Sequence, residues 1–206
     1  MPRRDPGRIE VMDTTLRDGE QTPDIAYSPA EKLQLARMLL REVKVDRIEV
    51  AGTRVSEGER QAVRRITTWA RKNRSLQRIE VLGYCDGKKS VDWITAAGGK
   101  VLNLLTKGSE IHCRQQLGRT PEQHWRDAAA TLDYARQKRL TVNVYLEDWS
   151  QGVRQSLDYV VRMMAALLEH PIKRVYLPDT LGVFAPDDVA RHVGLMVDLW
   201  PDVHFE

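Results

Sequence analysis

Thr141-Val142-Asn143-Val144-Tyr145-Leu146-Glu147-Asp148 decides the fold class. A β-branched, apolar run ends there in two carboxylates, and it follows a segment of helical period, Pro121–Arg139. A run of this kind reads as a buried strand, and the preceding helix makes it one beat of an α/β domain with parallel strands. Working outward, the same beat recurs. Strands are expected near Ile9–Thr15, Asp46–Gly52, Arg78–Tyr84, Lys100–Thr106, Thr141–Asp148 and Arg174–Thr180, with a seventh beginning at Val203. Helices are expected near Pro29–Val43, Gly58–Asn73, Ser90–Ala97, Pro121–Arg139, Val153–Glu169 and Pro186–Leu199. Two helix starts carry capping boxes with proline at the first helical position, Ser28-Pro29-Ala30-Glu31 and Thr120-Pro121-Glu122-Gln123.

Two α/β architectures compete for this pattern. A doubly wound nucleotide-binding sheet announces itself by a glycine-rich first turn, and no GxGxxG occurs. The first strand is followed instead by the charged loop Leu16-Arg17-Asp18-Gly19-Glu20-Gln21, and charged residues recur at other strand ends, at Glu49, Glu147 with Asp148, and Asp179. A (β/α)8 TIM barrel gathers its site at the C-terminal ends of its strands, so the distribution favours the barrel. A complete barrel takes roughly 250 residues. Six βα units and the start of a seventh strand therefore predict an incomplete barrel, with residues 1–206 the N-terminal part of one catalytic domain and no second domain.

Composition bounds the function classes. The chain has 206 residues, 42% hydrophobic and 30% charged, with a formal net charge of +3. That is enough apolar material for one sizeable core. The small net charge and the lack of a basic tail argue against nucleic acid as a partner. No apolar run approaches a membrane span, and Met1–Gly7 has no apolar segment behind it of the kind a secretory signal needs. Cys85 and Cys113 cannot form a disulfide framework, which fits a cytoplasmic protein.

Several residues could carry chemistry. Asp18 at a strand end suits a hard divalent cation, and Arg17 offers a fork of donors to a carboxylate or an alkoxide. An ion pair closing the barrel end is the competing reading. Glu147 and Asp148 are neighbours on a strand, so only one faces the cavity, and Asn143, Tyr145 and Glu147 share a side. Thr180 could donate to an anionic substrate, or Asp179-Thr180-Leu181-Gly182 could be turn chemistry alone. His112 lies in the loop after the fourth strand, on the active face, whereas His124, His170 and His192 belong to exterior helices. The arginine-rich run Arg60–Arg78 with Trp69 reads as a solvated helix, with a phosphate-binding patch as the minor alternative.

The motifs then resemble a family. Asp13-Thr14-Thr15-Leu16-Arg17-Asp18-Gly19-Glu20-Gln21-Thr22-Pro23 is similar to the opening signature of the 2-isopropylmalate, homocitrate and citramalate synthases. Asp46–Val50, Leu105–Ser109 with His112, Asn143–Asp148 and Leu177–Gly182 agree in order and spacing. Val55-Ser56-Glu57-Gly58-Glu59 and Tyr145-Leu146-Glu147-Asp148-Trp149 most resemble the citramalate synthase branch. The resemblance implies a metal-dependent barrel that condenses acetyl-CoA with a 2-oxo acid and hydrolyses the thioester, as in leucine and isoleucine biosynthesis. It implies Asp18 as a metal ligand, with Mg²⁺, Mn²⁺ and Zn²⁺ all compatible. Arg17 and Glu147 would be catalytic, with Arg17, Thr180, His112, Tyr145, Leu82 and Leu105 around the 2-oxo acid. It also implies a homodimer in the intact parent. The family's HxH metal pair falls beyond His204-Phe205-Glu206, so paired histidine ligands lie outside this sequence. The alternatives are a carbon–carbon lyase of the hydroxymethylglutaryl-CoA lyase type, which shares the Arg-Asp start, and a truncated barrel that only binds a partner.

Overall fold

The computed structural model describes residues 9–53 and 55–206. The reading of Met1–Gly7 as free of a secretory signal lies outside the described residues. Six strands form one parallel sheet in sequence order: β1 (Met12–Asp13), β2 (Arg47–Gly52), β3 (Ile79–Tyr84), β4 (Val101–Lys107), β5 (Thr141–Glu147) and β6 (Arg174–Tyr176). Parallel neighbours in chain order, each joined by a helical crossover, make a curling half-barrel. Val175 forms a parallel bridge with Phe205, where the seventh strand was expected to begin.

The helices are α1 (Pro29–Met38), α2 (Glu57–Lys72), α3 (Lys89–Ala96), α4 (Pro121–Gln137), α5 (Trp149–Gln155), α6 (Leu157–Leu168) and α7 (Pro186–Leu199). Both capping boxes form: Ser28 and Thr120 each accept the N3 amide and are answered by the N3 side chain. Helix α1 runs on through a π turn at Leu39–Val43 and stops at Lys44 in the left-handed region.

Three elements differ from expectation. β1 is two residues long because the Thr14 carbonyl accepts the amides of Arg17, Asp18 and Gly19, and the Asp13 carboxylate accepts the Thr15 amide, so the chain turns at once. β6 ends at Tyr176, two residues before Pro178, which has no amide to donate to a ladder. The helix expected over Val153–Glu169 is two helices, parted at Ser156, whose backbone (φ −156°, ψ 60°) is not helical.

The two faces of the sheet have different chemistry. Ile48, Val50, Ile79, Val81, Leu102, Leu104, Val142, Val144, Leu146 and Val175 are all buried in the core beneath the helices. Each such side chain contributes about 1.5–3 kcal/mol on full burial. The inner face is mostly polar. Arg47 donates to Glu80, to the Tyr176 hydroxyl and to both carboxylate oxygens of Glu206, which ties β2 across the barrel floor to the start of the seventh strand.

Candidate active site

The inner face also carries a hydrogen-bond relay that ends at Arg17. Asn143 Nδ2 donates to Asn103 Oδ1 at 2.8 Å, Asn103 Nδ2 donates to Glu49 Oε1 at 2.7 Å, and Arg17 Nε donates to Glu49 Oε2 at 2.5 Å. These residues come from β5, β4, β2 and the loop after β1. Burial pushes the Glu49 carboxyl up, opposed by Arg17 and Asn103, while burial of Arg17 is outweighed by Glu49 and Asp18, which hold its guanidinium charged. A second guanidinium nitrogen of Arg17 donates to Asp18 Oδ1 at 2.6 Å. The Asp18 side chain is 60% exposed, against 17% for Arg17.

The loop bearing this pair is anchored by a buried cation. Lys32 of α1 is fully buried, donates to the Leu16 carbonyl at 2.9 Å, and pairs with Glu20 at 2.5 Å and Glu59 at 2.6 Å. Glu20 in turn accepts the Tyr27 amide. One lysine therefore ties the segment on either side of Arg17-Asp18 to the start of α2.

Arg17 and Asp18 open onto a cleft of about 560 Å³ at the C-terminal ends of the strands, lined also by Leu82, Leu105, Tyr145, Glu147 and Thr180. Seven of the eight residues expected in the site thus meet in one cavity. The odd-numbered side of β5 faces it, as alternation requires, with the Tyr145 ring tilted against Tyr176 at a centroid distance of 4.4 Å and an interplanar angle of 30°. Burial pushes the Tyr145 hydroxyl well up, with Glu49 adding to it, so the phenol stays neutral. Glu147 is ion-paired with Lys107, whose ammonium also donates to Gln116 at 2.7 Å. A second pocket of about 370 Å³, bounded by Glu20, Tyr27, Val55, Ser56 and Glu59, shares Arg17, Gln21, Leu82 and Tyr84 with the first.

His112 is the eighth expected residue, and it is not among those lining the cleft. Its Nε2 stands 3.4 Å from Asp148 Oδ2. Asp179 spends its carboxylate on the amides of Val183 and Phe184, the turn role weighed for it. His124 is buried and accepts the Lys107 amide at Nε2. Glu49 and Asp148, noted in the sequence only as strand-end charges, and Lys107, not singled out there, are the partners that hold the expected residues. Glu49 had a signal: Arg47 and Glu49 are charged residues two apart in an otherwise apolar strand, which places both on the barrel interior.

Asp18 offers oxygen to a hard cation, the right chemistry for one ligand. Among the described residues, no group of three or more His, Cys, Asp and Glu side chains is placed to hold a metal ion. These residues fit one corner of a metal site rather than a whole one.

Residues 8–205 match the family model described as HMGL-like. This chain belongs to the HMGL-like family. Within that family it is 37% identical over 182 residues to a Methanopyrus kandleri protein named "Putative (R)-citramalate synthase CimA", covering 88% of this chain and 34% of that protein. It is 36% identical over 203 residues to homocitrate synthase AksA of the same organism, covering 97% and 49%. A 2-isopropylmalate synthase of Nitratidesulfovibrio vulgaris is 29% identical over 203 residues, covering 96% and 38%. The chain thus spans between 34% and 49% of the length of these relatives. The HMG-CoA lyase structure of Bacillus subtilis superposes with a TM-score of 0.75 at 16% identity, over 97% of this chain and 67% of that one. That likeness shows the HMGL-like barrel fold, present here in part. No helix among the described residues is long and apolar enough to cross a membrane.

Proposed function

We propose that the full-length protein is an acyltransferase that condenses acetyl-CoA with a 2-oxo acid and releases free CoA, in the manner of the citramalate and 2-isopropylmalate synthases of branched-chain amino-acid biosynthesis. The observation that carries this reading is the meeting of Arg17, Asp18, Glu147 and Thr180 in one cleft, beside the side chains of Leu82, Leu105 and Tyr145. The polar group fits the keto and carboxylate end of a 2-oxo acid, and the three larger side chains fit its substituent.

Arg17 has the central role. Addition of an acetyl carbanion equivalent to a ketone puts charge on the keto oxygen, and a guanidinium pinned by Glu49 can meet that charge without reorganising. Asp18 would hold a divalent cation, with the rest of its ligands supplied from outside the described residues. When bound, the cation supplies Lewis-acid polarisation of the carbonyl. Glu147, oriented by Lys107, presents its carboxylate to the reacting end, and Thr180 offers a donor to the substrate carboxylate. A cytoplasmic homodimer is the expected setting.

The test is thiol release by the full-length protein from acetyl-CoA with pyruvate, 2-oxoisovalerate or 2-oxoglutarate, with and without a divalent cation. Release that requires both a 2-oxo acid and the cation is expected. Cleavage of a hydroxyacyl-CoA, with no release for any acceptor, moves the protein to the lyase class.

A further inference from the structure

Thr180 lines the cleft, and its hydroxyl oxygen already has a partner. The backbone N–H of Asp148 donates to Thr180 Oγ1 at 2.9 Å. An amide can only donate, so the hydroxyl oxygen accepts and its hydrogen is left to donate elsewhere. Asp148 directs its amide this way from the left-handed region, at φ 65° and ψ 29°. Few non-glycine residues adopt that conformation.

Something holds it there. Asp148 precedes α5 in the position of an N-cap, yet its side chain makes no capping hydrogen bond to that helix. The carboxylate, only 2% exposed, turns the other way. Ser109 Oγ donates to Asp148 Oδ2 at 2.6 Å, His112 Nε2 stands 3.4 Å from the same oxygen, and the His112 amide donates to Ser109 Oγ at 3.2 Å. The end of β4 is pressed against this corner: a Cβ on Gly108 would come within 2.5 Å of the Leu146 carbonyl oxygen.

We propose that Asp148 is a positioning residue for substrate binding. Ser109 and His112 clamp its carboxylate, the clamp keeps its backbone left-handed, and its amide thereby holds the Thr180 hydroxyl in place with its hydrogen available to donate to an anionic oxygen in the cleft. Resting on the condensing function proposed above, that oxygen belongs to the 2-oxo acid carboxylate. His112 acts through Asp148 and does not touch the substrate.

The test is a double-mutant cycle in the full-length protein, read as kcat and KM for whichever of pyruvate, 2-oxoisovalerate and 2-oxoglutarate the wild type turns over fastest. Thr180→Val removes the donor and should lower kcat/KM roughly 10- to 100-fold, the range for a hydrogen bond to a charged group. The loss should fall mainly on KM, since the carboxylate is bound alike before and during reaction. Asp148→Ala should give a similar loss, and adding it to Thr180→Val should cost little more. Asp148→Asn keeps an acceptor oxygen and tolerates the left-handed backbone, so it should retain most of kcat/KM. Ser109→Ala loosens the clamp while leaving Asp148 and Thr180 in place, which keeps the test open if Asp148→Ala does not fold. It should raise KM several-fold in the wild-type background and not in Thr180→Val. Additive effects, or a loss confined to kcat, overturn the proposal. A wild type that turns over no 2-oxo acid overturns the condensing function and this inference with it; additivity in an active enzyme overturns this inference alone.

Discussion

Arg17 and Asp18 are adjacent and hydrogen-bonded, yet the proposed reaction gives them separate tasks, and their substitutions should fail differently. Asp18→Ala would remove the proposed oxygen ligand, so excess divalent cation should restore part of the activity. Arg17→Ala removes stabilisation of charge that develops in the transition state, with an expected cost of about 3 kcal/mol by comparison with a lost oxyanion donor. Metal should not recover it, and 2-oxo acid binding should suffer less than turnover. Titration of CoA release against metal for both variants checks this. The pair was legible because it stands in a long motif at a strand end. Its support was not. Glu49 and Asn103 are far apart in sequence, and nothing in either segment states that β2 and β4 bring them within hydrogen-bonding distance on the barrel interior.

At the scale of elements, α4 is fastened to the end of β4 by His124, whose Nε2 accepts the Lys107 amide and therefore must be unprotonated. Burial pulls this imidazole down to about 4. Above the unfolded-state value of about 6.5 neither state binds a proton and the contribution is intact. As pH falls below that, the unfolded chain takes up a proton that the folded protein refuses, and stability is lost until the folded value is reached. Between pH 7 and pH 5 the expected loss from this group is about 2 kcal/mol. Urea unfolding at both pH values should show it in the wild type and show it reduced in His124→Gln. Strands β2 to β5 were readable to within about a residue because apolar runs end at turns and charges. β1 and β6 were overread, since the early turn at Thr14 is made by the geometry of one carbonyl and three amides. The division between α5 and α6 was hidden because Leu157–Leu168 continues a helical period across Ser156.

At the scale of the whole molecule, the sheet of the described residues is open at β1. Among the described residues β1 pairs only with β2, and Ile9 and Val11 are 86% and 51% exposed beside it. An open edge with exposed apolar residues invites pairing with another chain. Residues 1–206 expressed alone should therefore self-associate and release no CoA; sedimentation and a thiol assay check both, and a monomer with a cooperative melt and turnover would show a site completed in some other way. Fold class was legible from the βα rhythm, and so was the end of the barrel that holds the site, from charges at strand termini. The polar interior was legible only in β5, where alternation puts Asn143, Tyr145 and Glu147 on one side; in β4 Asn103 vanishes in an apolar run, and with Asn143 it forms the relay to Arg17.

The proposed chemistry joins an acetyl group to a 2-oxo acid in the Arg17 cleft. Its most direct measurement is mass analysis of the product made by the full-length protein from carbon-13-labelled acetyl-CoA and each of pyruvate, 2-oxoisovalerate and 2-oxoglutarate, for wild type and Arg17→Ala. The predicted result is a labelled hydroxy acid that combines one acetyl unit with one acceptor, formed with free CoA by the wild type and nearly absent for Arg17→Ala. No labelled product from any acceptor, or equal product from the two proteins, would contradict a condensing role for Arg17.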